Sequence, residues 1–200
     1  MKQHSLFKIP SHKKFFGGSL LSGRRKGVRP IASDQALHLV LKSQWATGVN
    51  KFTTQVNRRP VTKIILEAAK RYNIRLYKIA ISGNNIHLII RAKKRWLYRA
   101  FISVITGLIA QHVMNRQSFK VFMLSKTKEL AGEGVPQPEK GQAFWQHRPF
   151  SRIINWGRDY RNCLAYLTRN TLEALGFFEY KQRRDYYASW RISLGPEPNG

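Results

Sequence analysis

The sequence predicts an α+β fold: a ferredoxin-like βαββαβ antiparallel sheet followed by a C-terminal helix that bears a tyrosine. Three observations predict it. Runs with a period of two at 36–43, 74–81 and 85–92 read as strands. Apolar stripes with a period of 3.6 at about 57–72, 96–115 and 159–176 read as helices. Along the chain these alternate as strand, helix, strand, strand, helix, strand, helix, and the first six form the split βαβ pattern.

Residues 1–30 come first, a basic stretch spotted with Gly and Ser and containing Arg24, Arg25 and Lys26. They read as an N-terminal arm, either lying over a phosphate backbone or free. Gly18 and Gly23 have the spacing of a phosphate loop, but Arg24-Arg25 follows where Lys-Ser/Thr is needed, and no strand precedes. The first strand, Ala36–Ser43, sets Leu37, Leu39 and Leu41 on one face and His38, Val40 and Lys42 on the other. A helix then starts at Asn57 or before Pro60, with Val61, Ile64, Ile65, Ala68 and Ala69 as its buried stripe, and stops near Asn73. Gly83-Asn84 turns the second strand into the third, where Asn85, His87, Ile89 and Arg91 share a face. Past Lys93, Lys94 and Arg95, the second helix carries Phe101, Val104, Ile105, Leu108, Ile109 and His112.

The rest of the chain is less regular. Residues 125–141, with Gly132, Gly134, Pro136 and Pro138 among polar residues, read as a flexible insertion. Gln142–Ile154 resumes as a strand or extended segment. The last helix opens with Asp159-Tyr-Arg and aligns Cys163, Tyr166 and Asn170. The domain thus spans 31–176, and 177–200, with Arg183 and Arg184, is a basic aromatic tail.

Thirty-six Lys and Arg against ten Asp and Glu give a net charge of +26, too large an excess to be neutralised internally. It predicts a polyanionic partner, nucleic acid first. An anionic membrane surface or RNA packing are the plainer alternatives. Aromatic residues at 12% favour base stacking over a simple basic tail, and 42% apolar residues exclude a disordered polycation. A single cysteine, Cys163, excludes a disulfide framework and a cysteine-rich zinc site. No secretory signal is visible, and the longest apolar run, 100–114, is shorter than the ~20 residues a membrane helix needs. The expectation is a cytoplasmic protein with no membrane partner.

In the βαββαβ topology the first and third strands are central neighbours, so His38 and His87 fall close together. A tyrosine helix above a strand of metal-type ligands is a nuclease-like arrangement. Each residue also has a plainer role. His87 and Tyr166 fit a hydrogen-bonded core, Asn84 and Asn85 fit a turn, and Cys163 fits as a small packed side chain. The Lys and Arg runs fit a solvated surface. Tyr160 is the competing nucleophile, six residues earlier on the helix.

Leu37-His-Leu-Val40, Gly83-Asn-Asn-Ile-His-Leu-Ile89, Phe144-Trp145 and Asp159-Tyr-Arg through Tyr166-Leu-x-x-Asn170 resemble, in order, the motifs of the single-tyrosine HUH transposases. The likeness is to their REP-associated tyrosine transposase-like branch and covers about residues 30–176. It implies cleavage and rejoining of single-stranded DNA at hairpins through a 5′-phosphotyrosine link. Tyr166 would be the nucleophile, and Asn85, His87 and Asn170 would be ligands of Mg²⁺ or Mn²⁺. A phenol is a weak nucleophile at neutral pH, which is why the family uses a cation to polarise the phosphate. Two departures stand out: Asn85 replaces the first His of the family's His-x-His strand, and Thr171 replaces the proline after the helix asparagine. An amide oxygen remains a ligand for these ions, though a weaker one. His38 is an alternative ligand if it points at His87. Phosphate contacts are expected from Arg24, Arg25, Lys26, Lys93, Lys94, Arg95, Arg161, Arg183 and Arg184. The partner is single-stranded DNA with hairpins rather than RNA, and a homodimer would let two cuts be joined. A catalytically impaired nucleic-acid-binding protein on the same scaffold is the second reading, and a structural RNA-binding protein the third.

Overall fold

The computed structural model describes residues 14–21, 27–128 and 143–178. Its strands are β1 (Phe15–Phe16), β2 (Ala36–Lys42), β3 (Arg75–Ser82), β4 (Asn85–Arg91) and β5 (Phe150–Ile154). Its helices are α1 (Gln55–Arg71), α2 (Arg95–Lys128) and α3 (Arg158–Ala174). The strands form one five-stranded antiparallel sheet in the order β1-β5-β2-β4-β3. From β2 to β5 this is the ferredoxin-like arrangement, with β2 and β4 as central neighbours.

Strand alternation divides the molecule into two layers. One sheet face presents Leu37, Leu39 and Leu41 of β2 and Ile86, Leu88 and Ile90 of β4 to α1 and α2, in the main core. The other face presents Ala36, Ala80, Ile89 and Ile154 to α3, which buries Cys163 and Leu167 against them. The alanines matter because a side chain of one carbon lets a helix lie close to a sheet.

Several elements differ from the sequence expectation. Helix α1 begins at Gln55, so Pro60 sits inside it rather than at its first turn. Asn57 is buried and donates to the carbonyls of Asn50 (2.9 Å) and Lys51 (3.1 Å), tying down the preceding loop. Asn73 ends the helix in the left-handed region at φ +50°, which asparagine tolerates better than most residues. Helix α2 runs on to Lys128 rather than stopping near 115, so the expected insertion loses its first residues to the helix. No Pro or Gly lies between Gly107 and Gly132 to stop it. Its buried row is Phe101, Ile105, Ile109 and Val113, whereas Leu108 is 45% exposed. By length and composition alone its Arg95–Met114 portion is apolar enough to cross a membrane, which the shorter run read at 100–114 was not. The fourth expected strand contracts to Phe150–Ile154, with an isolated bridge from Trp145 to Ser43.

Part of the stretch read as a basic arm lies in the sheet. Phe15–Phe16 pairs with β5, and Gly17, at φ +86°, passes so near Pro149 that a Cβ would sit 2.1 Å from its carbonyl oxygen. Arg29 donates to Ser151 Oγ and to the Pro149 carbonyl and lies 4.4 Å over the Phe16 ring. Arg24, Arg25, Lys26, Arg183 and Arg184 lie outside the described residues, as do 129–142 and 179–200.

Candidate active site

Strand register brings the two histidines together. His38 opposes Ile89 and Val40 opposes His87, so the imidazoles are diagonal neighbours on the α3 face. His38 Nε2 and His87 Nδ1 lie 3.2 Å apart, one ring donating to the other. The rings stack at 19°, with centroids 5.5 Å apart. Both residues are buried, His38 fully and His87 at 7% exposure. Burial pushes His87 down to about 4, and it pushes His38 well below its ordinary value, helped by the nearby His87 and the Arg152 charge. Both rings are therefore neutral at pH 7, and each keeps a lone pair.

Helix α3 carries Tyr166 to this pair. The phenol is half-buried and meets both imidazoles edge-on, with centroids 6.5 Å from His38 and 6.2 Å from His87. What aims the helix is a part-buried ion pair. Arg152, beside His38 in the register, donates to both carboxylate oxygens of Asp159 at 2.8 and 3.0 Å. Asp159 also accepts from the Asn155 backbone N–H at 3.1 Å, so the acid in the first turn of α3 both caps the preceding bend and holds the guanidinium. The bend passes through Gly157 at φ +89°. Cys163, pushed up to about 11 mainly by burial, is a packed thiol.

Helix α3 runs opposite to β4. Tyr160 packs edge-on against Tyr77 (5.9 Å), while Tyr166 lies beside His87, six residues further along. The next turn, with half-buried Asn170, therefore heads toward the β4 end that holds Asn85. Asn85 is half-buried, shares the His87 face, and opposes Lys42 and Ser82. The turn role belongs to Asn84, whose side chain donates to the Ser43 carbonyl at 3.0 Å. Tyr160, the rival nucleophile, sits in an aromatic cluster with Tyr77 and Trp156.

The donor set decides what ion these residues suit. When His87 Nδ1–H donates to His38 Nε2, the His87 Nε2 lone pair faces outward as the imidazole ligand atom. With Asn85 and Asn170, the expected ligands would add amide oxygens and no anion. Among the described residues, no group of three or more His, Cys, Asp and Glu is placed to hold a metal. One nitrogen and two carbonyl-type oxygens fit a hard divalent cation in kind, with low affinity. His38 Nε2 is engaged with His87 Nδ1.

Among the expected phosphate contacts, Lys93, Lys94 and Arg95 are exposed at the start of α2, and Arg95 donates to the Arg29 carbonyl at 2.5 Å. Arg161 is exposed on the outer face of α3, in a groove of about 710 Å³ shared with Arg169. Sequence reading missed two residues. Lys42 is exposed on the histidine face opposite Asn85, and only strand alternation signalled it. Arg152 carried a stronger signal, an arginine followed by Ile153-Ile154 in a strand, with an acid seven residues on.

No family model and no curated protein matches the chain. Solved structures of similar fold include a candidate transposase from Deinococcus radiodurans R1, with 13% identity, 74% of this chain and 97% of that chain covered, and a TM-score of 0.40. A REP-associated tyrosine transposase bound to a REP hairpin is another, with 10% identity, 86% and 88% covered, and a TM-score of 0.47. At such identities and scores neither decides the chemistry of this chain.

Proposed function

We propose that the chain is a transposase-like enzyme that cleaves and rejoins single-stranded DNA at hairpin-bearing sequences, with Tyr166 as nucleophile. One observation carries the reading: the Tyr166 ring stands edge-on to His87 at 6.2 Å, on the sheet face that also bears Asn85 and Lys42. The motif resemblance converges on the same residues. Tyr166 Oη attacks the scissile phosphorus; an Oη–P bond forms, the P–O3′ bond breaks, and the 3′-oxygen leaves and takes a proton from solvent. The tyrosine proton passes to solvent as well, and the reverse sequence rejoins the strand. Lys42 neutralises phosphate charge from the open side. His38 fixes the His87 tautomer and ring plane, and burial keeps the imidazole neutral. His87 Nε2, Asn85 Oδ1 and Asn170 Oδ1 would hold Mg²⁺ or Mn²⁺, which when bound polarises the phosphate oxygens and stabilises the leaving oxygen. A homodimer would allow two cuts to be joined.

A second reading rests on Asn85: with one imidazole in place of two, the chain would bind hairpin DNA without cutting it. Cleavage of labelled single-stranded hairpin DNA in Mn²⁺ separates the two. The enzyme reading expects nicked product from the wild type, none from Tyr166→Phe, and more from Asn85→His, on the order of 10-fold. If the wild type and Asn85→His both bind but leave the DNA intact, the binding reading replaces it.

A further inference from the structure

At the end of β4 away from Asn85, Lys70, Asn73, Ile74, Arg75, Arg91 and Lys93 line a cavity of about 440 Å³. Four of these are cations and none is acidic. Among the described residues, none of the four has an ion-pair partner. Lys70 has an ordinary reason to be there, since a cation in the last turn of α1 suits the helix dipole. Arg75 and Arg91 do not. They are direct register partners across β3 and β4, and like charges placed opposite each other weaken a sheet. A basic concavity that costs the fold stability is accounted for by an anion that fills it.

The surroundings narrow the anion. The Arg75 guanidinium lies 5.9 Å from the Tyr77 ring, and Tyr77 belongs to a cluster with Tyr160 and Trp156, the last 41% exposed. Cations beside aromatic rings are the pattern that holds single-stranded nucleic acid, phosphates on the charges and bases on the rings. From His87 to Arg91 is four residues of strand, about 13 Å at the usual rise.

We infer that this cavity is a phosphate cradle for a single-stranded DNA leg, whose scissile phosphate lies at Tyr166 and whose chain passes the Tyr77–Trp156–Tyr160 rings. The position of the scissile phosphate rests on the function proposed above; the cradle itself does not. The test uses the full chain and a fluorescent DNA hairpin with a single-stranded leg, with affinity measured by anisotropy across a salt series. Arg75→Gln, Arg91→Gln and Lys93→Gln combined should lower the slope of log K against log salt by about 2, at about 0.7 per phosphate. Arg58→Gln, Arg59→Gln and Lys63→Gln remove the same charge from the exposed side of α1 and should leave the slope unchanged. Equal slopes for the two triple variants, or no DNA binding by the wild type, overturn the cradle.

Photo-cross-linking of wild-type protein to a leg carrying 5-bromodeoxyuridine needs no variant to fold. Adducts on peptides holding Tyr77 or Trp156 support the path, and adducts confined to other surfaces contradict it. The two readings fail separately. Unequal slopes with no cleavage leave the cradle standing and remove the enzyme; equal slopes with Tyr166-dependent cleavage do the reverse.

Discussion

Burial sets the chemistry of the histidine pair, and burial has a cost that can be read against pH. Unfolding returns both rings to water, where imidazole titrates near 6.5. His87 is pushed down to about 4 in the folded chain. The unfolded chain therefore binds more protons between about pH 4 and 6.5, and stability falls as pH drops through that window. For His87 alone the full loss, reached near pH 4, is on the order of 3 kcal/mol. Urea unfolding at pH 7.5 and pH 5 should show a lower midpoint at pH 5, and His87→Gln should flatten the dependence. A midpoint that does not move with pH in the wild type would contradict the buried neutral pair. The closeness of the rings was legible in the sequence, because strand order and the period of two place His38 and His87 on one face of adjacent strands. Their bond to each other was not legible, since it depends on a diagonal offset in the register that only the paired backbone fixes.

Among the elements, α3 decides whether the site exists. It is held by Leu167 and Cys163 against Ala36, Ala80, Ile89 and Ile154, and by Asp159 on buried Arg152. Leu167→Ala opens a cavity under the helix and should cost about 2–5 kcal/mol in urea unfolding. Asp159→Ala removes the carboxylate that meets the buried Arg152 guanidinium, a loss of about 3–5 kcal/mol. A cost below about 1 kcal/mol for Asp159→Ala would show that the helix is aimed by something else. The sequence made the helix and its shared side visible, but not the depth of each residue on it. Cys163, Tyr166 and Asn170 do share a side, yet the buried row is Cys163 and Leu167, and Tyr166 lies at its margin. A helical period identifies a stripe, while the depth of each residue depends on the sheet below, here on two alanines. The length of α2 was illegible for a similar reason: Asn115-Arg-Gln-Ser118 interrupts the apolar pattern, but no Pro or Gly before Gly132 stops the helix.

The whole molecule combines a sheet covered on both faces with a charge of +26 that no internal pairing neutralises. The ferredoxin-like order was legible because element order and hairpin chemistry leave few ways to build an antiparallel sheet. The edge strand Phe15–Phe16 was not, since two aromatic residues in a basic stretch carry no periodicity. The basic cavity between α1, β3 and β4 was hidden too, because its cations are spread along the chain from Lys70 to Lys93. What unites site and charge is the claim that Tyr166 becomes joined to a DNA phosphate. The direct measurement is peptide mass spectrometry after incubation with single-stranded hairpin DNA and Mn²⁺, followed by nuclease digestion. The account predicts a nucleotide adduct on the Tyr166 peptide that disappears in Tyr166→Phe. An adduct on Tyr160 instead, or cleaved DNA with no protein-bound nucleotide, would contradict it.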